Sequence, residues 1–232
     1  MTDTSAPFVE IFNDPDHAAQ YACGPARFMP GFHAVHQMAG VLIREQTAAD
    51  ATVLVHGAGG GLELEALATA NAGWRFVGVD PAAAMLEQAR QRLGALNERV
   101  TLHHGFIDDA PIGPFDAATS FLTLHFLPPD ERRRSVADIV RRLKPGAPFI
   151  AAHCSFPQSS SQRDAWLARH QAYTIASGVD VELAERGRKD IAENLVALNP
   201  DEDEAILRAA GLANVTLFYS AFTWRGWFGH AK

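Results

Sequence analysis

The chain has 232 residues, a formal net charge of −7 and 47% hydrophobic residues, enough apolar side chains for the core of one α/β domain. The acidic balance argues against a broad nucleic-acid footprint, which needs a basic face. The one basic cluster, over residues 132–144, alternates with apolar residues and predicts a solvated helix face. Apolar runs are far shorter than the ~18 residues of a membrane span, and no signal pattern opens the chain. We therefore expect a cytoplasmic protein with a small-molecule substrate and no membrane partner.

The N-terminal part predicts an addition to the main domain. Residues 1–16 have little periodicity and predict an extended arm. From residue 18 the pattern is helical, is broken by two pairs of Gly and Pro, and predicts a helix over 32–45. We place a boundary here, with the arm and entry helices over 1–46 and the main domain over 47–232.

Strands and helices alternate in the first part of the main domain. The predicted strands are 51–56, 74–79, 99–103, 115–121 and 147–153, and the predicted helices are 61–71, 81–93 and 129–143. Such alternation predicts a parallel sheet covered by helices on both faces. Ligands in these sheets bind beyond the carboxyl ends of the strands.

Additional helices follow the fifth strand. A serine-rich linker over 158–161 leads to predicted helices over 163–176 and 181–198, and a third helix starts after Asn199. The last two segments, 214–223 and 224–230, predict a hairpin of two strands. The insertion over about 158–198 is a candidate substrate lid, a dimer surface or both.

A glycine turn follows the first strand of the main domain. Gly57, Ala58, Gly59 and Gly61 lie between a β-branched strand and a helix, where backbone N–H groups can approach a ligand. Asp80 ends the next strand, at roughly the 20-residue distance at which an acid meets ribose hydroxyls in nucleotide-binding units. The pattern predicts a ligand that contains adenosine.

The details of the turn distinguish between adenosine ligands. The third small-residue position of the dinucleotide pattern carries Leu62, which disfavours NAD. The turn instead resembles motif I of the class I S-adenosylmethionine (SAM) methyltransferases. Three further landmarks follow in that family's order, namely Val79-Asp80-Pro81 with Met85, Phe115-Asp116-Ala117-Ala118, and Leu143-Lys144-Pro145-Gly146.

This resemblance runs from about Gly31 to the C-terminus. It implies a Rossmann-like, seven-stranded methyltransferase fold, with a mostly parallel sheet, an antiparallel C-terminal hairpin, N-terminal helices and an inserted helical lid. It also implies SAM as the cofactor and methyl transfer to a small molecule. A homodimer follows only by analogy.

The resemblance assigns roles around the cofactor. The glycine turn would contact the methionine part, and Asp80 would accept hydrogen bonds from the ribose. The remaining cofactor residues it implies are Pro81, Met85, Phe106, Ile107 and Phe121. Structural alternatives are a tight turn for the glycines, a helix cap for Asp80 and plain core for Met85.

One position departs from the family's motif I. Val55 stands where an acid usually engages the ammonium group of SAM, and an apolar side chain cannot do so. His56 points to the other face of the strand and is not a simple replacement. Glu63 and Glu65 could compensate, although favourable placement in the first turn of a helix explains them better.

Candidate catalytic residues are His125 and His153, since imidazole titrates near neutral pH and could serve as a general base. A structural histidine is the alternative for each. Phe32, His36 and Arg188 are the candidate substrate-binding residues. His33, His36, His103 and His104 invite a metal site, but they lack a carboxylate or Cys at fixed spacing, so no metal is predicted.

A closer resemblance is to carboxy-SAM synthases, which use prephenate. It rests on Met29-Pro30-Gly31-Phe32, residues 122–127, Leu143-Lys144-Pro145-Gly146 and Glu193-Asn194-Leu195. Phe32 replaces that family's tyrosine, Phe121 its asparagine and Val55 its acid, and its lid arginine corresponds to Arg188 only after a one-residue shift. Methyl transfer is therefore the first hypothesis, carboxy-SAM synthesis the second and non-catalytic SAM binding the third, with NAD-dependent oxidoreduction last.

Overall fold

A computed structural model describes residues 6–21 and 24–232. Its seven strands are Thr52–His56 (β1), Arg75–Asp80 (β2), Val100–His104 (β3), Ala117–Phe121 (β4), Pro148–Cys154 (β5), Leu212–Ala221 (β6) and Trp224–Ala231 (β7). They form one sheet in the order β3-β2-β1-β4-β5-β7-β6. β1 to β5 are parallel, and β7 runs antiparallel to both β5 and β6. This sheet confirms the predicted fold class.

Ten α-helices surround the sheet within the described residues. They are Ala6–Asn13 (α1), Pro15–Tyr21 (α2), Pro25–Phe28 (α3), Phe32–Arg44 (α4), Leu62–Ala70 (α5), Ala83–Leu93 (α6), Pro129–Val140 (α7), Ser160–Ala176 (α8), Val181–Glu193 (α9) and Pro200–Ala209 (α10). Short 3₁₀ helices cover Gly94–Arg99 and Leu124–Phe126.

The sheet is buried on both faces because its central strands are continuously apolar. Val53 and Val55 of β1 pack with α4, α5 and α6, whereas Leu54 between them packs with α7 and α10. β4 and β5 are buried along their whole length. The carboxyl ends of β1, β2 and β4 meet where the strand order reverses, which is the usual ligand position in such sheets.

The N-terminal segment differs from the prediction. An extended arm was predicted over residues 1–16, but α1 and α2 are helical, and residues 1–5 lie outside the described part. The ring of Phe8 lies 4.6 Å from that of Phe126, and Phe12 packs against both Phe126 and Tyr21. These tertiary contacts explain helices for which the local sequence pattern is weak.

Several element boundaries also need correction, among them those of the fourth strand and of the second lid helix. The fourth strand starts at Ala117, because Phe115 forms only an isolated bridge with Leu143. The helix predicted over 181–198 ends at Glu193, and the chain then returns beside β5, where the Phe156 N–H donates to the Leu198 carbonyl (3.1 Å). The lid helices α8 and α9 are thus anchored at the carboxyl end of the sheet.

Arg132 belongs to the basic cluster that was predicted to be solvated, yet it is fully buried. Its guanidinium contacts the Asp203 carboxylate of α10 and donates to the carbonyls of Leu127 (3.1 Å) and Val196 (2.5 Å). The Val196 N–H in turn donates to the His125 carbonyl (2.9 Å). Arg132 therefore fixes the end of the lid to the loop that follows β4.

Candidate functional site

The glycine turn joins β1 to α5 in a conformation that requires glycine. Gly57, Gly59 and Gly61 all have positive φ, at 75°, 48° and 81°. A Cβ on Gly57 would lie 1.9 Å from Thr123 Oγ1, and one on Gly61 would lie 3.0 Å from the Ala89 Cα. The turn therefore leaves backbone, rather than side chains, facing the space above the sheet.

Asp80 connects this turn to the end of β2. Its carboxylate accepts from the N–H groups of Gly59 (2.8 Å) and Ala82 (2.9 Å). Burial raises the pKa of Asp80 to about 6, and these two N–H donors and the nearby His104 partly oppose that rise. Asp80 is not the helix cap that was the structural alternative, because the N-cap of α6 is Ala82. Its carboxylate instead holds the turn before that helix and keeps further lone pairs for a ligand.

A cavity of about 470 Å³ lies above the turn, and we call it the glycine-turn cavity. The residues lining it that were predicted from the sequence are Gly57, Gly59, Asp80, Pro81, Met85, Phe106, Ile107 and Phe121. Ala58 and Gly61 do not line it, since Ala58 is buried in the core and Gly61 packs against Ala89. Most of the predicted cofactor residues thus line the same cavity.

The residues of α1 and α2 that line this cavity were not predicted from the sequence. Phe8, Val9 and Phe12 of α1 and Tyr21 of α2 line it from the side opposite the sheet. Burial raises the pKa of the Tyr21 hydroxyl, and the nearby Asp80 carboxylate raises it further. The four-residue spacing of Phe8 and Phe12 was the available signal, because such residues share one helix face.

Neither Glu63 nor Glu65 replaces the motif I acid that is missing at Val55. Val55 is fully buried in the core, and His56 lines the cavity with its Nδ1 3.0 Å from Ser120 Oγ. Burial lowers the pKa of His56 to about 4, so the ring is neutral. Glu63 is buried away from the cavity with its pKa raised by burial to about 8, and Glu65 pairs with Arg92 (3.1 Å). Neither glutamate lines the cavity.

A second cavity of about 820 Å³ lies between α3, α8, α9 and Trp224, and we call it the lid cavity. Four residues line both cavities, namely Phe12, Tyr21, Leu122 and Phe126. Leu122 has a φ of 55°, a left-handed conformation that is rare outside glycine and recurs at functional sites. These four residues form a shared wall between the cavities.

His125 lines the lid cavity in a fixed orientation. Its Nδ1 accepts the N–H of Cys154 (3.1 Å), so the neutral ring carries its hydrogen on Nε2. Burial, with the nearby His153 and Arg132, holds its pKa well below the usual range. The geometry therefore favours a hydrogen-bond donor over the predicted general base.

His170 is a lid-cavity residue that sequence reasoning missed. Its Nδ1 lies 3.0 Å from Thr223 Oγ1, and burial lowers its pKa to about 4. The rings of His125 and His170 lie 5.9 Å and 6.0 Å from Trp224. The inner end of the lid cavity therefore carries two neutral imidazoles beside an indole.

Besides Ala58 and Gly61, four predicted site residues line neither cavity. His153 is fully buried on the other face of β5, with Nε2 3.2 Å from Asp203 Oδ1, so it has no access to a substrate in this arrangement. Phe32 and His36 face the core, where His36 packs against Phe32 and Phe121. Arg188 lies on α9, but its neighbour Arg186 lines the lid cavity.

The described residues offer neither a membrane span nor a metal site. No helix in the described ranges is long and apolar enough to span a membrane. No group of three or more His, Cys, Asp or Glu side chains in the same ranges could hold a metal ion. His104, one of the histidines considered for a metal, has its Nε2 3.1 Å from the Pro81 carbonyl.

Comparison with known proteins agrees with this geometry. Residues 53–146 match the methyltransferase domain family. The chain is similar to carboxy-S-adenosyl-L-methionine synthase from Alteromonas mediterranea, with 22% identity over 201 residues that cover 84% of this chain and 82% of that protein.

Solved methyltransferases share the fold at lower identity. Magnesium protoporphyrin IX methyltransferase from Synechocystis with bound SAM has a TM-score of 0.66 at 12% identity, covering 100% of this chain and 99% of that one. Human N-acetylserotonin methyltransferase in complex with SAM has a TM-score of 0.63 at 14% identity, covering 97% of this chain and 58% of that one.

Proposed function

We propose that this chain is a class I SAM-dependent methyltransferase, since residues 53–146 match the methyltransferase domain family and the chain shares the fold of solved methyltransferases. We further propose that it transfers the methyl group of SAM to a small molecule held in the lid cavity. The observation that carries the proposal is the shared wall of Phe12, Tyr21, Leu122 and Phe126. Methyl transfer requires the donor sulfur and the acceptor atom to meet in line. Two cavities that meet at one wall suit that requirement.

The glycine-turn cavity fits SAM by its chemistry. Glycine backbone at Gly57 and Gly59 allows the close approach that a Cβ would prevent, and Asp80 retains acceptor capacity for ribose hydroxyls. Met85, Phe106 and Ile107 supply apolar surface for the adenine. Asp80 and Asp108 line the cavity and give it negative charge, which suits a ligand that carries positive charge.

The protein's part in the transfer is alignment and exclusion of water. When bound, SAM supplies a methyl group already activated by its positively charged sulfur. The aromatic rings of Phe8, Phe12 and Phe126 pack together along one side of the glycine-turn cavity, where they would shield a bound cofactor from water. The short connection from β4 holds Leu122 through its N–H, which donates to the Ala152 carbonyl (2.8 Å).

Calorimetric titration tests the first half of the proposal. We expect the protein to bind SAM and S-adenosylhomocysteine, and to form S-adenosylhomocysteine when an acceptor from a metabolite panel is added. Absence of detectable binding at millimolar ligand would refute the proposal. Turnover with any acceptor would exclude the third hypothesis, a non-catalytic SAM-binding protein.

The second candidate function is carboxy-SAM synthesis, favoured by similarity to synthases over most of the chain. Phe32, Val55 and Phe121 depart from that family's pattern, and Arg188 lines neither cavity. Mass spectrometry of reactions with SAM and prephenate separates the two functions. Carboxylated SAM would establish the second, and its absence from a protein that binds SAM would remove it. Homodimer formation stays a prediction, which light scattering can test.

A further inference from the structure

The lid cavity differs from the glycine-turn cavity in charge. Arg27 and Arg186 line it, and neither forms an ion pair with a described residue. Asp190 is the one carboxylate among its described lining residues, and its Oδ1 lies 3.4 Å from the Asn194 amide nitrogen. Most of the remaining surface is apolar. Such a lining suits a ligand with an apolar body and a negative charge.

The aromatic side chains that line this cavity indicate the shape of the ligand's apolar part. Phe28 and Trp224 stack with ring centroids 5.7 Å apart, and Phe126 and Leu195 also line the space. Flat aromatic walls favour a flat or cyclic ligand through offset or edge contacts. The cavity therefore suits a compound that contains a ring.

A suitable base is missing among the described residues that line this cavity. His125 has its Nδ1 occupied by the Cys154 N–H, and its Nε2 already carries a hydrogen. Burial makes the neutral form of His170 a weak base. Tyr21 is held protonated by burial and by Asp80. His17 and Asp190 are exposed, as Arg27 and Arg186 are, and Asp190 contacts the Asn194 amide. A nucleophile bound here must therefore carry a free electron pair without help from a protein base, as an ionised carboxylate does.

Resting on the function proposed above, we propose that the acceptor is an apolar, ring-bearing carboxylic acid that is methylated on its ionised oxygen. Arg27, Arg186 and the Nε2–H of His125 bind and orient the carboxylate. One carboxylate oxygen forms a bond to the methyl carbon, and the methyl–sulfur bond breaks with its electron pair staying on sulfur. The products are a methyl ester and S-adenosylhomocysteine, and no proton is released.

A matched pair of ligands tests the recognition step. The probes are 3-phenylpropionate and its uncharged amide, 3-phenylpropanamide, titrated by calorimetry into protein saturated with S-adenosylhomocysteine. We expect the acid to bind at least ~10-fold more tightly than the amide, because arginine pairs with a carboxylate through charge-assisted hydrogen bonds. The double variant Arg27→Gln/Arg186→Gln should lose this preference and still bind the amide.

Arg169→Gln is the control, because Arg169 stacks on Trp166 outside both cavities. It should bind both probes like the wild type. The proposal is overturned if the acid does not bind, if acid and amide bind equally, or if the double variant keeps the wild-type preference.

A labelled-methyl assay tests the chemical step separately. SAM with a labelled methyl group is incubated with ring-bearing acids and, in parallel, with phenols and amines. A methyl ester releases labelled methanol in alkali, whereas aryl ethers and methylamines do not. Alkali-labile product from acids supports the proposal. Turnover of phenols or amines alone would overturn it while leaving the methyltransferase function intact, and loss of SAM binding would instead refute that function.

Discussion

The two cavities meet at one wall but are built in different ways. The polar part of the glycine-turn cavity is formed by backbone and a carboxylate at the ends of β1 and β2, where neighbouring parallel strands bring Gly59 and Asp80 within 2.8 Å. The lid cavity is formed by side chains of helices far apart in the chain, with Arg27 on α3 and Arg186 on α9. A ligand shared by a whole family suits the first construction, and an acceptor particular to one protein suits the second.

The largest expected effect comes from Gly57→Ala. The new Cβ would lie 1.9 Å from Thr123 Oγ1 in a positive-φ residue, so the turn must move. We expect SAM binding to be abolished by calorimetry, and chemical unfolding to show a loss of roughly 2–4 kcal/mol from overpacking and backbone strain.

Gly146→Ala is the matched control, because Gly146 has φ +77° and open space around its Cβ position. It should cost only the backbone penalty of roughly 1 kcal/mol and leave SAM affinity unchanged. Retained SAM binding in Gly57→Ala would contradict the assignment of this turn.

Asp80→Asn should weaken SAM binding while sparing the lid cavity. An amide cannot accept from Gly59 and Ala82 and from two ribose hydroxyls as a carboxylate can. We expect an affinity loss of ~100-fold, the size of about one hydrogen bond to a charged group. Binding of 3-phenylpropionate should change less than threefold. Equal losses at both cavities would show that the variant disturbs the fold as a whole.

His125 distinguishes a donor from a base. In His125→Gln the amide can still accept from the Cys154 N–H and donate to an acceptor, whereas His125→Leu can do neither. We expect kcat/KM to fall less than tenfold in the glutamine variant and about 10- to 100-fold in the leucine variant, the cost of a donor to a charged group. A general base would lose ~100-fold or more in both variants.

The last prediction concerns the pH dependence of stability beside the glycine turn, where we expect the least effect on SAM binding at neutral pH. Burial raises the pKa of Glu63 to about 8 in the folded protein, from an ordinary value of 4.5. The folded state therefore holds a proton that the unfolded state releases, and the free energy of unfolding falls as pH rises from 4.5 to 8, with a limiting slope of ~1.4 kcal/mol per pH unit.

Glu63→Gln should remove this contribution, as measured by urea unfolding at several pH values. Glu65→Gln, at the half-exposed neighbour that pairs with Arg92, is the control and should keep the wild-type slope. An unchanged slope in Glu63→Gln would mean that Glu63 is ionised in the folded protein.

The sequence predicted most of the sheet because its signals are local. Short β-branched runs, a glycine turn and Asp80 at a fixed distance define β1, β2 and the space between them. The roles of His153 and Arg188 could not be judged this way, since they depend on which face of β5 or α9 points to a cavity. His153 alternates with Cys154 toward opposite faces of a strand that is buried on both.

The N-terminal helices and Arg132 show a second limit of local patterns. α1 is short, and the aromatic residues that fix it contact Phe126, more than 100 residues away. Arg132 lies in a run of arginines that is typical of a solvated helix face. Its partners are nevertheless Asp203 and the carbonyls of Leu127 and Val196. Only tertiary structure distinguishes such residues from surface ones.

The central claim is that the cofactor binds in the glycine-turn cavity and the acceptor in the lid cavity, with a shared wall between them. A crystal structure with S-adenosylhomocysteine would test this claim most directly. We predict the ribose at Asp80, the adenine beside Phe106 and Ile107, and the sulfur facing Leu122 and the lid cavity. Density for the ligand inside the lid cavity, or a sulfur directed away from the shared wall, would contradict this account.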